Sequence, residues 1–487
     1  MNILIRKIFT VLILASIILL AAFLRLYRLG EISPSLDWDE ASLGWNAYSI
    51  LKTGTDEYGK AWPVSIRSFN DYKPPLYVYA AVPSIAIFGL NEFAVRFPSA
   101  LAGILTVLLT FFLVKELTRN RLLSYCVTAL LAISPWSIQF SRGAFEANFA
   151  LFFFVLGAYL LLKFPLLSVF PFALSIYSYH SPRLVIPVFL FLYFILNFKT
   201  LILKWKSLIL YSIVFILLLY PLARNTFHVG SVTARLNSVK LVSSPGEFIN
   251  NYFSHYNFDF LFLNADGNPR HHIPDFGLLY LIEAPFLITG FYYLVKNRPS
   301  WLPFLVSWLI AAPVASSIVI DAPHAIRSLL FLPTFQIITA YGLINLSKRK
   351  LLVFGFLILV FGNFLWYFHQ YFVHFPIESA SGWQYGYKQA VKKVLALENK
   401  YDRIYVTSAY DQPYIYFLFY GRISPVVKNS GYFYKGLDKY EFSLEKIDSK
   451  GLYIIAPTDK VPGFQSFDTI NFPDGTPAFL FGTIAKS

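Results

Sequence analysis

Residues 74–90 read PPLYVYAAVPSIAIFGL, and whether this stretch crosses a membrane fixes the side on which everything after it lies. It is apolar, and about as short as a helix crossing a ~30 Å hydrocarbon layer can be. It also opens on Pro74-Pro75 and carries Pro83, and an interior proline removes a helical hydrogen bond and bends the chain.

The charges around it decide the matter. Further apolar windows lie at 8–26, 97–114, 122–139, 147–162, 165–179, 183–198, 207–223, 276–295, 301–320, 325–345 and 351–368. Loops rich in Lys and Arg stay in the cytoplasm. If 74–90 rests at the surface, Arg6/Lys7, Lys115/Arg119/Arg121, Lys199/Lys204/Lys206, Lys296/Arg298 and Lys348/Arg349/Lys350 all share one side. If it crosses, every cluster after it changes side and the bias is lost. The expectation is therefore about eleven transmembrane helices, a cytoplasmic N-terminus, and 74–90 as a partly embedded helix.

Composition agrees. The chain is 56% hydrophobic, 19% aromatic and only 14% charged, with a mean hydropathy of +0.54, beyond what a water-soluble domain of this length shows. Period-two alternation is absent, which makes a membrane barrel a poor fit. The net charge of +14 sits mostly in short loops, so no nucleic-acid partner is expected. Cys126, the single cysteine, allows neither a disulfide framework nor a thiolate metal site. The start MNILIRKIFT has the charge of a signal peptide but no small-residue cleavage site after it, so the first helix is expected to stay.

The fold class is thus an all-α polytopic membrane protein with a small extracytoplasmic α/β C-terminal domain. Residues 1–369 form the membrane domain, with outer loops 27–96 and 224–275, and 370–487 form the second domain. In the latter, 382–398 reads as a helix, and 403–410 and 451–459 as strands. No G-x-G-x-x-G or G-x-x-x-x-G-K-[ST] fingerprint is present.

The outer face gathers the chemistry. LDWDEASLGW (36–45) places Asp37, Asp39 and Glu40 within four positions, at the head of a helix expected to end at Gly54. One reading makes Asp37 or Asp39 simply the N-cap there; the alternative is a working carboxylate. Lys73, Arg96, Arg142, Glu146, His180, Arg183, His324 and Arg327 all fall at outer ends of expected spans or in the loops there. Snorkelling to the headgroups accounts for any one cation. Together with the acids they suit an anion such as a lipid phosphate, held by charge-assisted hydrogen bonds. Group transfer from a lipid phosphate and transport both fit; the nearly charge-free span interiors and the lack of a repeat weigh against transport. In the loop 224–275, Asp259, Asp266, His271 and His272 read as a polar array, with the His pair a surface or acceptor contact and not a zinc site. Trp38, Trp45, Trp62 and Tyr72 fit an interfacial belt, with stacking on sugar rings as the alternative.

These residues resemble those of the membrane glycosyltransferases that use polyprenyl-phosphate sugars, the GT-C class, and in particular the protein O-mannosyltransferases and the lipid A aminoarabinose transferases. The carrying pieces are Asp39-Glu40, Lys73-Pro74-Pro75-Leu76-Tyr77, NEFAVRFPSALAG (91–103) and FSRGAFEANF (140–149), with DAPHAIRSLLFLP (321–333) more loosely similar. The resemblance implies an inverting glycosyltransferase. An acceptor hydroxyl attacks the anomeric carbon of a sugar on dolichyl or undecaprenyl phosphate. It implies Asp39 as catalytic base, Glu40 as its acidic neighbour, and Lys73 and Arg96 in the donor-phosphate region, with His324 and Arg327 as further candidates there. Arg142, Glu146, His180 and Arg183 are candidates for a second-loop site. No metal cofactor is expected; the alternative is a divalent cation, Mg²⁺ or Mn²⁺, where Asp39, Glu40 and Glu146 converge. Expected partners are the lipid-linked donor, a hydroxyl acceptor in protein, glycolipid or cell-wall polymer, and the bilayer of a cell membrane. A flippase for lipid-linked sugars and an inactive scaffold of the same fold are the rival readings.

Overall fold

The computed structural model describes residues 3–69, 71–228, 240–346, 349–423, 425, 439–445, 448 and 450–485. Residues 229–239 of the expected outer loop, Lys348 of the last basic cluster, and 426–438 of the C-terminal segment lie outside these. The chain forms two compact units: Met1–Tyr27, Asp71–Tyr77 and Pro98–His369 in one, and Arg28–Asn70, Val78–Phe97 and Gln370–Ser487 in the other. The division differs from 1–369 and 370–487. Most of the first outer loop joins the C-terminal segment.

The first unit is helical. It contains α1 (Ile3–Leu26), most of α4 (Glu92–Thr118), α5 (Arg121–Ile133), α6 (Pro135–Arg142), α7 (Glu146–Lys163), α8 (Pro165–Ser178) and α9 (Pro182–Leu196), and then helices at Trp205–His228, Ala284–Asn297, Leu302–Ala311, Thr334–Asn345 and Lys350–His369. Every expected window holds a helix, but among the described residues four helices are long and apolar enough to cross a membrane: Glu92–Thr118, Glu146–Lys163, Phe198–Thr226 and Lys350–Glu378. The pair α5–α6, bent by 53°, makes a fifth. This is a polytopic membrane protein, with shorter helices than the windows suggested. Proline explains several of the short ones. Pro165 and Pro182 open α8 and α9, and Pro135 follows the Ser134 cap that ends α5 and begins α6, all positions where a missing N–H costs nothing. The stretch 74–90 becomes α3 (Leu76–Phe88), 13 residues with Pro83 inside. At 1.5 Å per residue that is about 20 Å, short of a hydrocarbon core.

Small residues let these helices approach closely, as membrane helices require. A Cβ added to Gly290 would lie 2.0 Å from the Ile338 carbonyl oxygen, and one on Gly342 2.2 Å from that of Phe286. Trp205–His228 presents bare apolar side chains such as Leu217 and Ile216 to its surroundings, as a surface in lipid would.

The second unit carries α2 (Trp38–Thr53), a helix at Tyr387–Leu397, another at Pro413–Tyr420 and a mixed five-stranded sheet. The sheet contains β3 (Ile404–Val406), β4 (Tyr440–Glu441), β5 (Leu452–Ile455), β6 (Phe464–Asn471) and β7 (Pro477–Ile484) in the order β4-β3-β5-β7-β6. β3 runs parallel to β4 and β5, while β7 is antiparallel to β5 and β6. Tyr405, Tyr453, Ile455 and Ile484 form a core on it. The helix and two strands expected after 370 are present, and β4, β6, β7 and Pro413–Tyr420 add to them. Pro413–Tyr420 packs on α2.

Candidate active site

The acidic turn resolves into three different jobs. Asp37, 3% exposed, is the N-cap of α2: its Oδ1 accepts the Glu40 N–H at 2.7 Å, while Glu40 Oε2 accepts the Asp37 N–H at 3.2 Å. This reciprocal box satisfies two donors that a helix start leaves open. Glu40, 1% exposed, is also ion-paired to the fully buried Arg96. Arg96 Nε reaches Glu40 Oε1 at 2.9 Å and Nη2 reaches Oε2 at 2.8 Å, the two-point geometry that suits guanidinium and carboxylate. Its other donors go to the carbonyls of Leu29, Ser33 and Ser35. Trp383 lies over the guanidinium at 5.6 Å. All five N–H donors of Arg96 have acceptors, so none remains for a phosphate.

Asp39 is the third acid, and it is only half-buried. It sits in the first turn of α2, at the positive end of the helix dipole. The turn is held from several directions. Tyr416 Oη donates to the Leu36 carbonyl at 3.3 Å, and Lys388 pairs with Glu92 at 2.6 Å near the start of α4. A Cβ on Gly44 of α2 would lie 2.6 Å from the Phe419 ring. Farther along, the Asn46 amide oxygen accepts the Glu57 N–H at 2.9 Å. Burial pushes the Glu57 carboxyl up to about 7, against the lowering effect of hydrogen bonds from Tyr414 and Asn46.

The other expected site residues belong to the first unit. Lys73 ends β2 (Asp71–Lys73), just before α3, and is half-buried. Arg142 is fully buried and donates to the Leu24 and Tyr27 carbonyls at 2.8 and 2.9 Å. It thus closes the C-terminal end of α1, where cations are favourable. Glu146 begins α7 and is buried, while His180 and Arg183 sit half-buried at the junction of α8 and α9. Arg327 lies 3.5 Å from Asp321. His324 is 9% exposed; burial, followed by the His271 and Arg327 charges, pushes it down to about 2. A neutral imidazole brings no positive charge to a donor phosphate.

Two features were missed. His271 is buried, not a surface contact, and shares Asp266 with His324. Burial raises the Asp266 carboxyl, but His271 and the Ala325 N–H carry it below the usual carboxylate range. Arg25, in the last turn of α1, is fully buried and bonded to Ser137, Ser141 and the carbonyls of Ala21 and Ala132. The adjacent histidines signalled the first; nothing local signalled the second. Glu40, with both oxygens committed, drops out of the Asp39–Glu40–Glu146 alternative for a metal.

Residues 15–237 match the family model of the dolichyl-phosphate-mannose-protein mannosyltransferases. The fold is similar to ArnT from Cupriavidus metallidurans bound to undecaprenyl phosphate, with TM-score 0.62 and 13% identity over 97% of each chain. It is also similar to the archaeal oligosaccharyltransferase AglB from Archaeoglobus fulgidus in complex with an inhibitory peptide and a dolichol-phosphate. There the TM-score is 0.52 and identity 13%, over 86% of this chain and 64% of that one. No curated protein sequence matches. The chain shares its fold with ArnT over nearly its whole length. The resemblance read from the first two hundred residues is borne out, and the GT-C likeness extends through the C-terminal segment.

Proposed function

We propose that this GT-C protein is an inverting glycosyltransferase that moves a sugar from dolichyl or undecaprenyl phosphate to an acceptor hydroxyl on the extracytoplasmic face. The carrying observation is the division of labour in the acidic turn. Asp37 and Glu40 are consumed in building α2, and Asp39 is the acid left half-exposed on a fixed scaffold. A base held this way accepts the hydroxyl proton as the oxygen attacks the anomeric carbon. The carbon–oxygen bond to phosphate breaks on the opposite side, and the lipid phosphate leaves. In the family's pattern Lys73 offsets the charge on that leaving group. Arg96 and Glu40 position the turn. The lipid phosphates bound to ArnT and to AglB support a lipid-phosphate donor.

The finer topology belongs to the same reading: eleven spans, with the N-terminus in the cytoplasm, α3 embedded in the outer leaflet, and the C-terminal segment outside the cell membrane. Acceptor class stays open among protein, glycolipid and cell-wall polymer. The test is turnover of synthetic polyprenyl-phosphate hexoses and pentoses by the purified protein, followed by mass spectrometry of the product. Asp39→Asn should abolish product. Unchanged turnover in that variant ends the assignment, and donor translocation without any product favours the flippase reading.

A further inference from the structure

We propose that Asp266, His271 and His324 form a divalent-cation site of the imidazole–carboxylate type, joining two loops of the helical unit. Asp266 and His271 lie in the loop after the helix Phe258–Phe262, and His324 precedes the turn Leu329–Phe331. One ligand atom from each falls within 4.8 Å of the other two. His271 Nδ1 lies 2.8 Å from Asp266 Oδ2, and His324 Nδ1 lies 3.7 Å from the same oxygen. The two rings stand 4.9 Å apart. Tetrahedral zinc with bonds of 2.0–2.2 Å sets its ligands about 3.3–3.6 Å apart, so the His271–Asp266 pair opens slightly while the His324–Asp266 pair, at 3.7 Å, already fits and no separation exceeds 4.8 Å.

A second observation points to a ligand. His324 is nine-tenths buried, and its Nδ1, aimed at the carboxylate, has no hydrogen-bond partner among the described residues. A buried polar atom left so is costly and calls for an ion or water. A cation between the rings and Asp266 satisfies it. Two imidazoles and one carboxylate are the donor set of zinc and of the later first-row metals, not of Mg²⁺ or Ca²⁺. Three protein ligands leave one coordination position open. The surroundings hold the ligands in place: the Ala325 N–H donates to Asp266 Oδ2 at 2.6 Å, and the His324 N–H to His255 Nε2 at 3.3 Å. Arg327, three residues after His324, is itself 3.5 Å from Asp321. His272 stands apart, with both ring nitrogens against the carbonyls of Ile273 and Asp266.

The experiment uses the full chain in detergent, purified through a tag without histidine and stripped with chelator. Co²⁺ titration followed by visible absorption, and zinc content by mass spectrometry, should each give one equivalent per chain. His324→Gln and His271→Gln should weaken binding by more than about 100-fold, since even outer-shell partners are worth about 10–100-fold. His272→Gln and Asp39→Asn should bind as the parent does, which keeps this inference separate from the transfer reaction. Should the buried variants fail to fold, the stripped parent answers alone: Zn²⁺ at micromolar concentration should raise its Tm. Stripped parent that takes up less than a stoichiometric equivalent without a Tm change, or triad variants that bind like the parent, would overturn the site.

Discussion

Replacing Arg96 distinguishes a residue that grips substrate from one that builds the site. In Arg96→Met the side chain volume is roughly kept, but Glu40 is left as a charge at 1% exposure and the carbonyls of Leu29, Ser33 and Ser35 lose their donor. Breaking a buried ion pair from one side costs about 3–5 kcal/mol. For a domain of 150–250 residues each kcal/mol moves Tm by about 2–4 °C, so the drop should be roughly 6–20 °C. Glu40→Gln should fall in the same range, because it strands the guanidinium instead. The double variant should recover part of the loss, as groups in direct contact do in a double-mutant cycle. Trp383 lies over Arg96, so tryptophan fluorescence reports this locality, and melts should be compared at one scan rate because unfolding of such a protein is kinetic. On lipid-linked donor, a positioning role predicts a fall in kcat with KM within about threefold, since the turn carrying Asp39 is misplaced while donor binding persists. If Arg96→Met melts within about 2 °C of the parent and raises donor KM alone, the buried-pair account is wrong and Arg96 is a phosphate ligand.

Asp39→Ala should lower transfer by at least about 10²-fold, the usual worth of a general base, with Tm changed by no more than about 2 °C because the residue is half-exposed; transfer near the parental rate refutes it. Glu57 gives a pH signature. Its folded value near 7 exceeds the ordinary 4.5, so its contribution is complete below pH 4.5, declines as pH rises toward 7 and is gone above it. The loss is up to about 3 kcal/mol. Glu57→Gln should flatten that decline in a Tm–pH series; an unchanged slope would show that Glu57 ionises freely in the folded protein. For topology, single cysteines at positions 60, 89 and 119, exposed sites, in a Cys126→Ser background, should label from outside at 60 and 89 and only after permeabilisation at 119. Outside labelling at 119 with none at 89 would mean that α3 crosses the bilayer.

Local signals carried the membrane class well. Each apolar window became a helix because hydropathy over some twenty residues is a local property, and DWDE followed by ASLGW announced a capped helix start by spacing alone. What failed was anything set by a distant partner. Glu40 read as the acidic neighbour of Asp39 and Arg96 as a donor-phosphate residue, and the ion pair between them joins positions 56 residues apart, beyond any local signal. His271 looked like a surface residue because its partner His324 lies in another loop. Span lengths were overestimated where apolar sequence continues past a helix end, as in 276–283, which precedes the helix Ala284–Asn297. β6 escaped because its side chains are mostly exposed and its polar sequence shows no clean alternation.

The C-terminal segment changes meaning in this light. By sequence it could stand apart as a docking appendage, yet its residues complete the surroundings of the acidic turn. Trp383 covers Arg96, Tyr416 holds the Leu36 carbonyl, and Phe419 presses on Gly44. An arginine tolerates burial when its charge is paired and its five donors are satisfied, and the Trp383 ring adds a face over the guanidinium. Residues 28–70 alone lack these contacts, and catalysis needs a carboxylate held to sub-ångström placement. The C-terminal residues supply the missing packing. The placement of Asp39 is therefore a property of the whole second unit, and a single exchange more than three hundred residues away in sequence, at Trp383 or Tyr416, should move it.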